Sequence, residues 1–343
     1  MNTTYQDAFK WTSDEISLWL SEHKVLFVTN SLCEPGTTYL ASMRTYLDYI
    51  PVHNFYIVPG MRNGQPYYGL SVFNELTMRA LSEPIIEQFD YMVYIDDDCF
   101  ITDFPTLMKE LVRFVEVGTW CMAGPQDGGM IAHRNHSHIL FNTYISFWNF
   151  KMLREKSSRE KFMKTISQIS ANPMQSYAVF KKMLQEDMTQ VNLMESSAQN
   201  MIQRGRLFRE NAFPKNEETG EYETFAAGKV RNDPSNPIEP HQTPYTYKEN
   251  EQTNYEPYYL IEQTWLIETR APIMYLFHQD LYDRNIEDNA DPTGVTSGVY
   301  DEDGYLYAVH TWFSRAYTKW PQHKLQMEHT RRINNVILKY GKL

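Results

Sequence analysis

Five apolar residues, Tyr91-Met92-Val93-Tyr94-Ile95, run without a break into three carboxylates, Asp96-Asp97-Asp98. A short apolar run of this kind reads as a buried strand, and the acids mark its end. Adjacent carboxylates repel one another, and they persist at such a place when a cation offsets the repulsion or water screens it. On extended backbone Asp96 and Asp98 project to one side and Asp97 to the other. Two carboxylates on one side suit a hard divalent ion that keeps positions open for phosphate oxygens, and Mg²⁺ or Mn²⁺ fits that oxygen-rich set. The competing reading is a solvated acidic turn, with Asp103 capping the next helix.

The flanking pattern supplies the fold class. Val25-Leu26-Phe27-Val28 is an apolar run that ends in Thr29-Asn30-Ser31, and Leu40, Met43, Leu47 and Ile50 follow at helical spacing. Phe55-Tyr56-Ile57-Val58 predicts a second strand, residues 70–81 a helix, and Asp103 with Pro105 opens another helix after the acidic triplet. Strand and helix in alternation predict an α/β fold with a mainly parallel sheet flanked by helices. Ligands of such sheets bind beyond the carboxyl ends of the strands, where Thr29-Asn30 and the triplet both fall.

Further along, residues 139–147 read as a strand, with helical material to about 208. Residues 211–257 form a polar insertion rich in Pro, Asn, Glu and Thr. After it come a helix at 262–270, a strand at 273–277, a hairpin around Asp301-Glu302-Asp303-Gly304, and a terminal helix at 323–340. The organisation read from this pattern is an N-terminal helix (1–22), a core carrying the triplet (23–210), the insertion (211–257) and a C-terminal part (258–343).

Composition narrows the partners. A net charge of -11, from 32 basic and 43 acidic residues, disfavours nucleic acid, since cations supply most of the grip on its backbone. One metal ion would still let a diphosphate bind. The 24 Tyr and 7 Trp give flat surfaces on which sugars or bases stack, as well as core. Three dispersed cysteines, Cys33, Cys99 and Cys121, and no run long enough for a transmembrane segment predict a soluble protein of a reducing, cytoplasmic compartment.

The segment Tyr91-Met92-Val93-Tyr94-Ile95-Asp96-Asp97-Asp98-Cys99-Phe100-Ile101 resembles the DxD region of GT-A glycosyltransferases. The order of elements follows that family from about Val25 to Tyr317. The resemblance implies a GT-A-like, Rossmann-type core with a C-terminal acceptor-side region, a UDP- or GDP-sugar donor, and a carbohydrate acceptor. It implies Asp98 as main metal ligand, Asp96 as a donor contact and second ligand, and Asp97 beside them on the donor. Thr29 and Asn30 would hold the nucleotide, while Asn142, Thr143 and Trp148 would line the sugar pocket. A histidine near the C-terminus would complete the metal site; His310 in Val309-His310-Thr311-Trp312 is one candidate and His278 the other. Glu262, in Leu260-Ile261-Glu262-Gln263, matches the place of the base in inverting members, with Glu256 and Asp233 as rivals.

Three further readings stand beside this one. A retaining transferase would use the same donor site without Glu262. A nucleotidyltransferase would need a Gly-rich, basic loop after its first strand, which Thr29-Asn30-Ser31-Leu32-Cys33-Glu34 does not offer. A non-catalytic carbohydrate-binding protein would need only the aromatics. His133, His136 and His138 lie close together, but without the ligand spacing of a transition-metal site they read as a polar loop.

Overall fold

The computed structural model describes residues 10–31, 36–63, 65–66, 70–125, 141–171, 260–281, 296–301, 303–311 and 338. The insertion at 211–257 with Asp233 and Glu256, the histidine segment at 133–138, and the terminal helix apart from Leu338 lie outside them.

The chain opens with α1 (Ser13–Glu22), β1 (Val25–Ser31), α2 (Gly36–Met43) and β2 (Phe55–Pro59). A two-residue pair, β3 (Met61–Arg62) and β4 (Gln65–Pro66), precedes α3 (Leu70–Ala80) and α4 (Pro84–Glu87). Then come β5 (Tyr91–Ile95), β6 (Cys99–Ile101), α5 (Phe104–Val117), β7 (Met122–Pro125) and β8 (Ile145–Asn149). The remaining elements among the described residues are α6 (Phe150–Lys156), α7 (Arg159–Ala171), α8 (Leu260–Thr269), β9 (Ile273–Leu281), β10 (Thr296–Tyr300) and β11 (Leu306–Thr311). No helix among the described residues is long and apolar enough to cross a membrane.

Local chemistry explains where these elements begin and stop. α1 starts on a capping box, with the Glu15 amide donating to the Thr12 hydroxyl and the Thr12 amide to the Glu15 carboxylate at 2.7 Å. α5 starts on Asp103, whose carboxylate accepts the Thr106 amide at 3.3 Å, and stops at Gly118, where φ of 64° suits a residue without Cβ. The helix expected through Leu40 and Ile50 is cut at Met43, and only a short 3₁₀ turn, Leu47–Tyr49, follows. Thr45 is the reason: its hydroxyl donates to the Ser42 carbonyl at 2.6 Å and accepts the Ile101 amide at 3.0 Å. A contact with β6 has displaced helix continuation.

One nine-stranded sheet forms the centre, in the order β2-β1-β5-β8-β7-β9-β10-β11-β6. β2, β1 and β5 are mutually parallel, as are β7 and β9; the remaining neighbours are antiparallel. The α/β class expected from the alternating pattern is present, as a mixed sheet. The sheet cannot be flat. β5 stands third in the order and β6 ninth, about 29 Å apart at strand spacing, while the chain from Ile95 to Cys99 reaches at most about 14 Å. It therefore curls until its far edge returns to the end of β5.

Alternate residues of the strands serve two cores. Leu26, Met92 and Trp148 pack with α3, α6, α7 and α8 on one face; Phe27, Val93 and Phe147 pack with α1 and α5 on the other. Residues buried on both faces make the inner strands near-continuous apolar runs.

Candidate metal centre

The acidic triplet is the joint at which the curl closes. The Cys99 amide donates to the Asp96 carbonyl at 3.1 Å, so residues 96–99 form a turn and not the extended backbone expected from the sequence. Asp96 and Asp98 still converge, and Asp97 still departs. The Asp96 amide donates to the Tyr144 carbonyl at 2.8 Å, and the Tyr94 hydroxyl donates to the Asp96 carboxylate at 2.8 Å.

The third member arrives on β11. Nε2 of His310 stands 3.1 Å from Asp98 Oδ1 and 4.0 Å from Asp96 Oδ2, and one ligand atom from each residue falls within 4.8 Å of the others. Two ligands at about 2.1 Å from one ion are about 3.0 Å apart when adjacent and about 4.2 Å apart when opposite. The two separations from His310 fall within that range, so the three residues could hold one divalent ion. Asp98 and His310 are almost wholly buried and Asp96 is partly open, which leaves one side for a ligand.

His278, the alternative to His310, is buried and not a member of this group; its Nδ1 shares a hydrogen bond with the Tyr144 hydroxyl at 3.1 Å. Tyr144 in turn lies flat on His310, ring centroids 4.1 Å apart and planes 5° from parallel. Neither Tyr144 nor Tyr94 was among the expected site residues. Tyr94 was legible, two positions before Asp96 on one strand face; Tyr144 carries no sequence signal of its role.

Thr29 and Asn30 are buried at the end of β1, with Thr29 in register with Ile95, so they adjoin the triplet. Asp97 is fully buried, and its charge bears on two tyrosines, one in α2 and one just beyond it. Burial first, then Asp97, pushes the Tyr39 hydroxyl above its ordinary value. Tyr46 is pushed up too, by burial most of all, with the Thr29 hydroxyl pulling the other way. Burial, reinforced by the charges of Asp98 and Asp96, also holds the Cys99 thiol well above its ordinary value.

Asn142 and Thr143 lie immediately before Tyr144, half-buried, with the Asn142 amide donating to the Pro125 carbonyl at 2.7 Å. Trp148 is elsewhere. It is in register with Met92, three residues down the strand from Ile95, and is fully buried against Phe73, Phe141 and Trp265. Its indole N–H donates to Ser146 at 2.9 Å. The structure makes it core, because the strand read at 139–147 occupies Ile145–Asn149 and carries Trp148 into the interior. Glu262 is in the first turn of α8, only 2% exposed, and outside the acid–histidine group.

The hairpin carrying His310 is pinned from below. Lys109 of α5 donates to Asp301 at 3.1 Å and to Asp303 at 2.9 Å, and Asp301 also accepts the Asp303 and Tyr305 amides. Burial works to lower the Lys109 ammonium, but its hydrogen bonds to Asp303 and Asp301 outweigh it and hold the group above its ordinary value. The acidic turn expected at 301–304 is thus a turn, with Asp301 buried as an ion-pair partner.

Comparison with protein-family models gave no match, and comparison with curated proteins gave none either.

Proposed function

We propose that the chain is a metal-dependent GT-A-type glycosyltransferase that moves a sugar from a UDP- or GDP-sugar to a hydroxyl of a glycan or glycolipid acceptor. The observation that carries this reading is the convergence of Asp96, Asp98 and His310 where a central strand of a curled α/β sheet ends. A divalent ion held there would offset the charge of the donor diphosphate and stabilise it as it departs. His310 adds a nitrogen donor to two carboxylates, which favours Mn²⁺ over Mg²⁺.

The remaining roles follow from position. Asp98 and His310, both buried, are the fixed ligands. Asp96, oriented by Tyr94, serves the ion and the donor. We assign Thr29, Asn30 and Asp97 to the nucleotide and Asn142 and Thr143 to the sugar; Trp148, as core, is left out of the donor contacts.

For inversion, Glu262 is the base that takes the acceptor proton. It stands in the first turn of α8, the helix that residues 270–272 join to β9. The burial of Glu262 favours a second reading, a retaining transfer from the same donor site. The anomeric configuration of the product, read by NMR, separates the two. Glu262→Gln should lower turnover about a hundredfold in the first case and leave it near wild type in the second.

A thermal-shift screen of nucleotide sugars with and without Mn²⁺ tests the whole reading, because a ligand that binds only the folded chain raises its apparent stability. A metal-dependent shift followed by donor hydrolysis supports a transferase. Sugar binding without turnover, whatever the metal, would leave a carbohydrate-binding protein.

A further inference from the structure

We infer that Tyr144 is the positioning residue that sets the spacing between the carboxylates and the imidazole of the metal centre, with His278 locking its ring. The inference rests on the metal-centre reading above. Asp96 and His310 come from strands far apart in sequence and in sheet order, and Tyr144 is a neighbour of both. Its main-chain carbonyl accepts the Asp96 amide at 2.8 Å. Its ring is stacked on His310 at 4.1 Å, within 5° of parallel.

A stacked ring fixes the plane of the imidazole while leaving its edge open, so Nε2 stays directed at Asp98, 3.1 Å away. Metal-bound histidines are commonly oriented by a partner that never touches the ion, and loss of that partner weakens the site. Here the partner acts through the face of the ring. The stack works only if Tyr144 itself cannot rotate. Its hydroxyl is held by Nδ1 of His278 at 3.1 Å, and both residues are fully buried. His278 sits on β9, in register with Val299 of β10, while Ser297 of β10 is in register with His310. The three rings thus cross from β9 to β11 over the end of β8.

Mn²⁺ binding to the full chain, titrated by loss of the free-ion electron paramagnetic resonance signal, tests this. The nitrogen coupling of bound Mn²⁺ reports the imidazole directly. Tyr144→Leu should weaken Mn²⁺ binding about ten- to a hundredfold and abolish the nitrogen coupling, in a chain whose circular dichroism is unchanged. Wild-type affinity with intact coupling in that variant would overturn the inference. Should Tyr144→Leu not fold, a cycle of Tyr144→Phe, His278→Ala and the double variant decides. Each single change should weaken binding about three- to tenfold, and the double no more than either alone; no loss, or additive losses, would overturn it. A wild-type chain that takes up no Mn²⁺ sinks the metal centre and this inference together. Uptake lost in Asp98→Ala but not in the Tyr144 or His278 variants sinks the inference alone.

Discussion

Thr311 donates twice to the main-chain carbonyl of Asp98, through its amide at 3.1 Å and its hydroxyl at 3.2 Å. These two bonds tie the end of β11 to the triplet, and they bring His310, the preceding residue, against the Asp98 carboxylate. The far edge of the sheet and the end of its third strand become one structural unit.

That unit predicts a graded response to loss of ligands. Asp98→Ala should abolish the Mn²⁺-dependent rise in melting temperature and lower donor hydrolysis by about a hundredfold or more, with the fold intact. His310→Ala should leave two carboxylates and shift the Mn²⁺ titration to higher concentration without ending it. Turnover near wild type in Asp98→Ala would count against the site. An unmoved titration in His310→Ala would remove that residue from the ligand set.

Lys109 tests whether the hairpin depends on its anchor. Lys109→Met leaves Asp301 buried without its cation and should cost about 3–5 kcal/mol in chemical denaturation. Lys109→Met combined with Asp301→Asn, which removes the charge and keeps an acceptor for the Asp303 and Tyr305 amides, should recover much of that loss. A single variant as stable as wild type would show that the hairpin is held by its strand pairing alone.

Trp148 distinguishes core from sugar pocket. Trp148→Ala should lower stability by about 3–5 kcal/mol through the cavity it leaves. Donor affinity, measured where the variant is still folded, should be little changed. Lost donor affinity at an unaltered melting temperature would return Trp148 to the binding site.

Glu268 supplies a pH dependence. Burial alone would raise its pKa, but the Lys161 ammonium and the Thr165 and Ser157 hydroxyls outweigh burial and hold it below its ordinary 4.5. The unfolded chain therefore binds this proton first as pH falls. The stabilisation is complete above about 4.5 and is lost as pH drops through the lower folded value. Wild type should exceed Glu268→Gln in melting temperature at neutral pH, and the gap should narrow as pH falls below 4.5. A gap that does not change with pH would assign the effect to packing.

Several elements were legible because their signals are local. β5 and α5 carry an apolar run, a capping Asp103, Pro105 and a terminal Gly118 within one stretch of chain. The hairpin around Asp301 was legible as a turn, yet the burial of Asp301 was not, since Lys109 lies far away in sequence. β6 and β7 were missed: one is three residues long, the other four, too short for a period to show. The expected helix through Ile50 failed for a related reason, a hydroxyl of Thr45 engaged by Ile101.

What the amino-acid order determined by itself was an apolar strand that delivers acids to its end, among helices that cover a sheet. Alternation and capping act between near neighbours, so they can be read from near neighbours. The tertiary structure alone decided that His310 and not His278 reaches those acids, that Tyr144 lies between the two histidines, and that Trp148 is core. Each depends on strand order and on the curl that returns β6 to β5, and these come from pairings across long stretches of chain that no local period encodes.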